Sequence, residues 1–273
     1  MITGLARLAG VMGYPVSHSR SPLLHNFWLA RHGIDGAYVP LAAVPADFAA
    51  ALTGVRCAGF AGVNVTIPHK EAAFALCDVV DDAARRAGAV NTIVFSSTGV
   101  LGSNTDGYGF LANLAAHGVR ADRPALLLGA GGAARAIAAV LQEAGAHVTL
   151  CNRTRGRAEA LARVLPGLRV IDWSQAGAAL CDQALLVNTT SLGMIGHAAL
   201  DLDLSRAPAG LAVADIVYAP AQTGLLAAAQ ALGLMVVPGL GMLLHQAVPG
   251  FAAWFGVTPE VDAEVFDAVM HVA

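Results

Sequence analysis

Charge is scarce in this chain. Only 13% of its 273 residues are Asp, Glu, Lys or Arg, and the formal net charge is −3. There is no basic block and no acidic tail. The electrostatic footprint of a nucleic-acid binder is therefore missing, and no nucleic-acid partner is expected. Cysteine is scarce too. Cys57, Cys77, Cys151 and Cys181 form no C-x-x-C pair and their spacing suits no zinc site, so buried reduced thiols are the expectation. None of the nine histidines stands in an H-E-x-x-H pattern, so no metal is expected. Long hydrophobic runs are also absent. The most apolar stretches are interrupted by Arg135, Gln142, Glu143 or Asp215 and fall short of a bilayer span, so no membrane is expected. Met1 to Arg7 has no charged segment leading into an apolar core, which reads as a cytoplasmic protein without a signal peptide.

What the chain does have is apolar material, at 56% of residues, enough for a large buried core. Its length exceeds the size at which single cores usually stop growing, so two domains are expected. In the first hundred residues short apolar runs alternate with helical patterns. Strands are expected at Leu8 to Met12, at 37–41 and at 60–65. Helices are expected from a Ser21-Pro22 cap to just before Gly33, from near Pro45, and from Pro68 to about Cys77. Ala89 to Phe95 and Val100 to Ser103 read as strands joined by a turn at Ser96-Ser97-Thr98-Gly99. Asp106 to about Gly118 reads as a linking helix. Apolar strands are then expected at Ala125 to Leu128, His147 to Leu150, Ala184 to Val187, Val213 to Tyr218 and Leu234 to Val237, with helices between them. That alternation describes a doubly wound parallel sheet of Rossmann type. A last helix after Pro238-Gly239 carries Leu243, Leu244, Ala247, Phe251 and Trp254, and it is expected to pack back on the first domain. The fold class is thus α/β with two domains: 1–105, completed by 241–273, and 106–240.

The second domain carries a nucleotide signature. Gly129-Ala130-Gly131-Gly132-Ala133 follows an apolar strand and opens an amphipathic helix, the context in which such a turn binds pyrophosphate. An NAD site would be expected to place an acidic residue at the end of the next strand, for the ribose hydroxyls. This chain has Asn152-Arg153-Thr154-Arg155-Gly156-Arg157 instead. Guanidinium groups and a hydroxyl suit the 2′-phosphate of NADP, with Arg153 first, then Thr154 and Arg157. Asn188-Thr189-Thr190-Ser191-Leu192-Gly193-Met194 follows another apolar strand, over the carboxyl ends where ligands bind. Hydrogen bonds from it to the nicotinamide or its ribose are expected.

The first domain carries polar residues without charge. Ser19 and Ser21 stand at a helix start, where hydroxyls and free N–H groups suit a carboxylate. Ser21 alone also reads as an ordinary N-cap. Asn64, Thr66, Asn91, Thr92, Thr105 and Gln246 flank apolar runs and suit a polyhydroxylated ring. Lys70 follows Pro68, read here as the first helical position, so it falls in the first helical turn, where the helix dipole disfavours a cation. A carboxylate beside it, offered by Asp106, acts in the opposite sense. A ketone accepting hydride needs its oxygen protonated as charge develops, and a lysine held by a carboxylate can do this. His18 and His69 lie nearby in the chain, and packing accounts for either.

The ordered set of these segments resembles the shikimate dehydrogenase family over nearly the whole chain. It runs through Ser19-Arg20-Ser21-Pro22, Asn64 to Lys70, Gly88-Ala89-Val90-Asn91-Thr92 and Asn104-Thr105-Asp106-Gly107. It continues through Gly129 to Arg135, Asn152-Arg153-Thr154, Asn188 to Ser191, Val217-Tyr218, Gly239 to Leu243 and Gln246-Ala247. The resemblance implies reversible NADP-linked reduction of 3-dehydroshikimate to shikimate, on the route to chorismate and the aromatic amino acids. It implies that Ser19 and Ser21 hold the substrate carboxylate, and that Asn64, Thr66, Asn91, Asp106 and Gln246 bind ring hydroxyls. It implies that Lys70 and Asp106 form the catalytic pair. The cofactor would lie against Gly129 to Ala133, Asn152 to Thr154, Arg157, Thr190, Ser191, Met194 and Val217, with Tyr218 and Gly239 near the nicotinamide. The alternatives are a quinate/shikimate or aminoshikimate dehydrogenase, an acidic residue in place of Arg153 being what would have favoured NAD and quinate; a non-catalytic NADP sensor, which would have lost Lys70 or Asp106; and a pocket for a substrate outside the shikimate pathway. The oligomeric state is open, a homodimer among the candidates.

Overall fold

The computed structural model describes residues 2–270. Met1, and the last part of the expected first domain at 271–273, lie outside the described residues. The chain divides into two compact units. One runs up to Thr105 and resumes at Leu244, and the other is Asp106–Leu243.

The first unit contains β1 (Arg7–Gly13), α1 (Ser21–Arg31), β2 (Gly36–Ala42), α2 (Phe48–Cys57), β3 (Gly62–Val65), α3 (Lys70–Leu76), β4 (Val79–Val80), α4 (Asp82–Ala87), β5 (Thr92–Ser96) and β6 (Gly99–Ser103). Its sheet has the order β2-β1-β3-β5-β6-β4. β1 is parallel to β2 and β3, while β5 is antiparallel to β3 and β6. Met12, Val63, Val65 and Ile93 share a core with Phe48 and Leu52 of α2.

The second unit contains α5 (Asp106–Ala116), β7 (Ala125–Leu128), α6 (Gly132–Glu143), β8 (Val148–Cys151), α7 (Arg155–Val164), β9 (Arg169–Ile171), α8 (Ala176–Ala179), β10 (Leu185–Asn188), β11 (Ala212–Asp215), α9 (Gly224–Ala231) and β12 (Met235–Val237). Every pairing in its sheet, β12-β11-β10-β7-β8-β9, is parallel. Numbered from β7, this is the 3-2-1-4-5-6 order of a dinucleotide-binding sheet, with its switch point between β7 and β10. Alternate residues of β7 feed opposite faces. Ala125 and Leu127 pack with α6 residues such as Ile137, while Leu126 and Leu128 pack with Leu225 and Leu226 of α9. A strand buried on both faces reads as an unbroken apolar run, which is why Ala125-Leu126-Leu127-Leu128 shows no alternation.

Two helices close the chain, α10 (Gly239–Phe255) and α11 (Ala263–Met270). The boundary between the units falls within α10, between Leu243 and Leu244. The later part of α10 places Phe251 and Trp254 against Trp28, Tyr38 and His25 of the first unit, and Trp254 Nε1 donates to the Ile93 carbonyl at 2.9 Å. α11 lies along α1, where Arg31 pairs with Asp262 at 2.6 Å. The C-terminal helices thus belong to the first unit's core. Among the described residues no helix is long and apolar enough to cross a membrane.

Several local expectations need correction. Pro68 is not the first helical residue. It follows a cis Ile67–Pro68 peptide within a turn closed by His69 N–H to the Thr66 carbonyl at 2.9 Å, and α3 begins at Lys70. Ser21 is not the N-cap of α1; Arg20 holds that position and Ser21 is already helical. The strand expected from Ala89 begins at Thr92, and the strand expected to reach Tyr218 ends at Asp215. The short elements β4, α4 and β9 were not anticipated, nor was α11 as a helix separate from α10. The four cysteines are free thiols, but only Cys151 is buried; Cys57 and Cys181 are exposed.

Candidate active site

In the first unit the neutral polar residues converge at the ends of β3 and β5. The buried Asn64 amide donates to the Asn91 carbonyl and to Thr92 Oγ, both at 3.1 Å. Thr92 Oγ donates to Asn91 Oδ1 at 3.0 Å, which also accepts the Thr105 N–H at 2.9 Å. Asn91 Nδ2 donates to Thr105 Oγ at 3.0 Å and to Gln246 Oε1 at 3.3 Å. Thr105 Oγ donates to the Gln246 carbonyl at 2.8 Å. One network therefore joins Asn64, Asn91, Thr92, Thr105 and Gln246, all within the first unit. Thr66 lies just beyond β3, its N–H donating to the Met12 carbonyl at 2.9 Å. Ser19 Oγ accepts the Ser21 N–H at 3.3 Å, and Ser21 is buried. The amide network uses dipoles rather than charges, which suits the hydroxyls of a polyhydroxylated ring.

Lys70 is half-buried as the first residue of α3, and its carbonyl accepts the Val90 N–H at 2.9 Å. Asp106 is buried as the first residue of α5, next to Thr105 in the chain. His69 is a packing residue. Its ring stacks on Phe48 with centroids 4.4 Å apart, and its Nε2 bonds the Ala43 carbonyl at 2.7 Å.

In the second unit the glycine turn sits at the switch point of the sheet. The Gly129 N–H donates to the Cys151 carbonyl at 2.8 Å, tying the turn to the end of β8. Gly129 has φ +110, and a Cβ there would meet Thr189 Oγ at 2.6 Å, so both backbone and space demand glycine. Gly131 and Gly132 differ. Both are exposed, neither has a positive φ, and a Cβ on either would meet nothing within 4 Å. No protein atom requires glycine at these two positions, at the start of α6. Their bare backbone is what a pyrophosphate approaching the helix N-terminus would need. Ala130 and Ala133 complete this turn.

Asn152, Arg153 and Thr154 follow β8 directly. Asn152 Nδ2 donates to the Thr154 carbonyl at 2.9 Å and shapes the turn. Arg155 is committed elsewhere, to Glu159 at 2.7 Å and Asp172 at 2.6 Å. Among the described residues, Arg153 and Arg157 have no such partner, and both are exposed. The basic turn therefore keeps two forks available for an anion.

The loops after β10 and β11 are held by a residue that sequence reading treated only as an interruption. Buried Asp215 accepts from Asn188 Nδ2 at 2.9 Å, from the Val217 N–H at 3.0 Å and from Thr223 Oγ at 2.7 Å. Asn188 Oδ1 in turn accepts the Thr190 N–H at 3.0 Å and its hydroxyl at 2.7 Å. One carboxyl group thereby ties down Thr190, through Asn188, on the loop that also carries Ser191 and Met194, and Val217 on the loop that also carries Tyr218. Gly239 supports the second loop: a Cβ there would lie 2.6 Å from the Ile216 and Val217 carbonyl oxygens. Burial outweighs these hydrogen bonds and raises the Asp215 carboxyl above the usual range. Tyr38 is the other residue missed, and it bonds Asn64 at 2.6 Å.

A parallel 3-2-1-4-5-6 sheet with an open glycine turn and two arginines that make no ion pair among the described residues, in one chain with an α/β unit lined with buried amides, is the build of a dinucleotide-dependent enzyme for a small polar ligand. Three family models match along the chain. They are the shikimate dehydrogenase substrate binding domain at residues 11–93, shikimate/quinate 5-dehydrogenase at 113–195, and the shikimate 5′-dehydrogenase C-terminal domain at 239–263. Shikimate dehydrogenase (NADP(+)) of Acidiphilium cryptum strain JF-5 is 69% identical over 270 residues, 98% of each chain. The crystal structure of shikimate 5-dehydrogenase from Thermus thermophilus in complex with NADP(H) and shikimate aligns with a TM-score of 0.88 and 41% identity. It covers 96% of this chain and 98% of that one. Quinate dehydrogenase from Corynebacterium glutamicum in complex with NAD aligns at 0.91 with 30% identity, over 98% and 99%. This chain belongs to the shikimate dehydrogenase family.

Asp215→Asn replaces an acceptor with a donor facing three donors, and is expected to cost about 1–3 kcal/mol in urea unfolding. The wild-type carboxyl has a raised folded pKa, so its contribution is full below the ordinary aspartate value and is lost as pH rises to the folded one. The wild-type advantage should therefore shrink across that window. A deficit that does not vary with pH would place its cause elsewhere.

Proposed function

We propose that this chain is an NADP-dependent shikimate dehydrogenase, interconverting 3-dehydroshikimate and shikimate on the route to chorismate. The carrying observation is the turn at the switch point, where a Cβ on Gly131 or Gly132 would meet no described atom within 4 Å, while among the described residues Arg153 and Arg157 make no ion pair after β8. The names of the relatives agree with this reading.

In this reading the Asp106–Leu243 unit binds NADP and the unit up to Thr105, with the C-terminal helices, binds the ring. NADPH held there would supply the hydride for the ketone carbon. Ser19 and Ser21 hold the ring carboxylate. Asn64, Thr66, Asn91 and Gln246 orient the ring hydroxyls by hydrogen bonds, with Asp106 beside them. The Lys70 ammonium donates its proton to the carbonyl oxygen as negative charge develops there, and its amine takes the proton back in oxidation. Asp106 holds that ammonium in place. Arg153, with Thr154 and Arg157, binds the 2′-phosphate, and Asn152 sets the turn that presents them. Thr190, Ser191, Met194, Val217, Tyr218 and Gly239 surround the nicotinamide end.

Absorbance at the reduced-nicotinamide band, with shikimate and either NADP or NAD, tests the reading. Rapid reduction of NADP alone is expected. A preference for quinate, or silence with shikimate in both cofactors, would refute it. Lys70→Ala should lower turnover by roughly 10²–10⁴-fold with the fold intact. Unchanged turnover would remove Lys70 from the mechanism. Arg153→Ala should weaken NADP by about 1.5–3 kcal/mol, the value of a hydrogen bond to a charged group, and leave NAD nearly untouched. Equal weakening of both would reject the phosphate contact.

A further inference from the structure

The direction of every hydrogen bond around Asn64 follows from groups that have no choice. The Asn91 carbonyl can only accept, so the Asn64 edge 3.1 Å from it is the NH₂ edge. The opposite edge, Oδ1, then faces the Tyr38 hydroxyl at 2.6 Å, and Tyr38 must donate. The second amide hydrogen goes to Thr92 Oγ at 3.1 Å. At the far end the Thr105 N–H can only donate, which fixes Asn91 Oδ1 as its acceptor. Thr92 then passes its own proton to that same oxygen at 3.0 Å. Both amide hydrogens of Asn64 are spent inside the protein. What remains for a ligand is a lone pair on Oδ1, on the atom that Tyr38 holds.

Tyr38 is built to keep that position. Only 1% of its surface is exposed, and its ring lies flat on His25 with centroids 3.9 Å apart and planes 4° apart. Burial raises the phenol well above its ordinary value, against a hydrogen bond from Ser21, so it stays a donor at any working pH. His25 is not a competing donor of charge. Burial outweighs the influence of the Asn64 amide and lowers the imidazole to about 3, so the ring is neutral beside that amide.

We infer that Tyr38 is a positioning residue for the substrate: its hydroxyl locks the Asn64 amide so that the pocket offers an acceptor there, and takes a ring hydroxyl in preference to a group that only accepts. This rests on the substrate-binding role proposed above for Asn64.

Tyr38→Phe keeps the ring and its stack and removes only the donor. Loss of one hydrogen bond corresponds to about 3–10-fold. The KM for shikimate should rise by that factor, with kcat within about two-fold and the KM for NADP unchanged. Because Tyr38 acts through Asn64, adding Tyr38→Phe to Asn64→Ala should raise the shikimate KM no further. Additive effects, an unchanged shikimate KM, or equal shifts in both KM values would overturn the inference. A second measurement uses the wild-type protein alone, with shikimate analogues in which each ring hydroxyl in turn is replaced by fluorine. At least one should bind about 3-fold or more weaker, since fluorine cannot donate. Binding equal to shikimate at every position would overturn the inference whether or not the variant folds. Silence of the wild type with shikimate would overturn the functional reading as well, whereas normal wild-type turnover with an unaffected Tyr38→Phe overturns this inference alone.

Discussion

A polar group removed from water is costly without a partner, and in both units of this chain that cost shapes the candidate site. A buried donor or acceptor left alone costs about 1–3 kcal/mol. In the first unit the cost is avoided by passing hydrogen bonds from Tyr38 through Asn64, Thr92 and Asn91 to Gln246. In the second it is avoided by gathering Asn188, the Val217 N–H and Thr223 on one carboxyl group, Asp215. Side chains in such networks cannot rotate separately. They present fixed dipoles to a ligand, and the ordering entropy has already been spent in folding.

The backbone does comparable work at the switch point. Three glycines share one turn, but for different reasons. Gly129 is set by its own conformation and by the approach of Thr189. At Gly131 and Gly132 an added Cβ would meet no described atom within 4 Å, and their place at the switch point, at the start of α6, leaves the backbone open to a ligand. That difference turns a glycine-rich pattern, weak evidence by itself, into an argument for a ligand.

The parallel sheet was legible because a strand buried on both faces is an unbroken apolar run, and because glycines mark where strand becomes helix. The elements that escaped reading had no such contrast. β9 is three residues at a sheet edge with only Ile171 buried, and β4 is two residues. α4 did carry a signal, an Asp81 N-cap with its side chain on the Ala84 N–H and a left-handed Gly88 at the end. Pro68 misled because a proline after an apolar run suits a first helical turn and a tight turn equally, and only tertiary context separates the two. Most of the site was readable as polar residues interrupting apolar runs. Tyr38 was not, because a tyrosine within an apolar strand reads as core; its hydroxyl acquires meaning only once β2 and β3 bring it to Asn64. Asp215 looked like a break in a hydrophobic stretch for the same reason.

The distribution of cations separates two kinds of chemistry. Lys70 is the single lysine of the chain, and every other Lys or Arg position is arginine. Arginine serves wherever a permanent positive charge is enough. It pairs Arg31 with Asp262 and Arg155 with Glu159 and Asp172, and it leaves Arg153 and Arg157 for an anion. A guanidinium cannot be deprotonated in a protein, whereas an ammonium can give up a proton and recover it. In a chain whose other cations are all arginine, lysine at position 70 is the one that can take the proton-transfer role proposed above. Phosphate recognition requires a charge that never changes, and hydride transfer to a ketone requires a proton that moves. In the function proposed above the two requirements would fall on different side chains in different units, Arg153 after β8 and Lys70 at the start of α3.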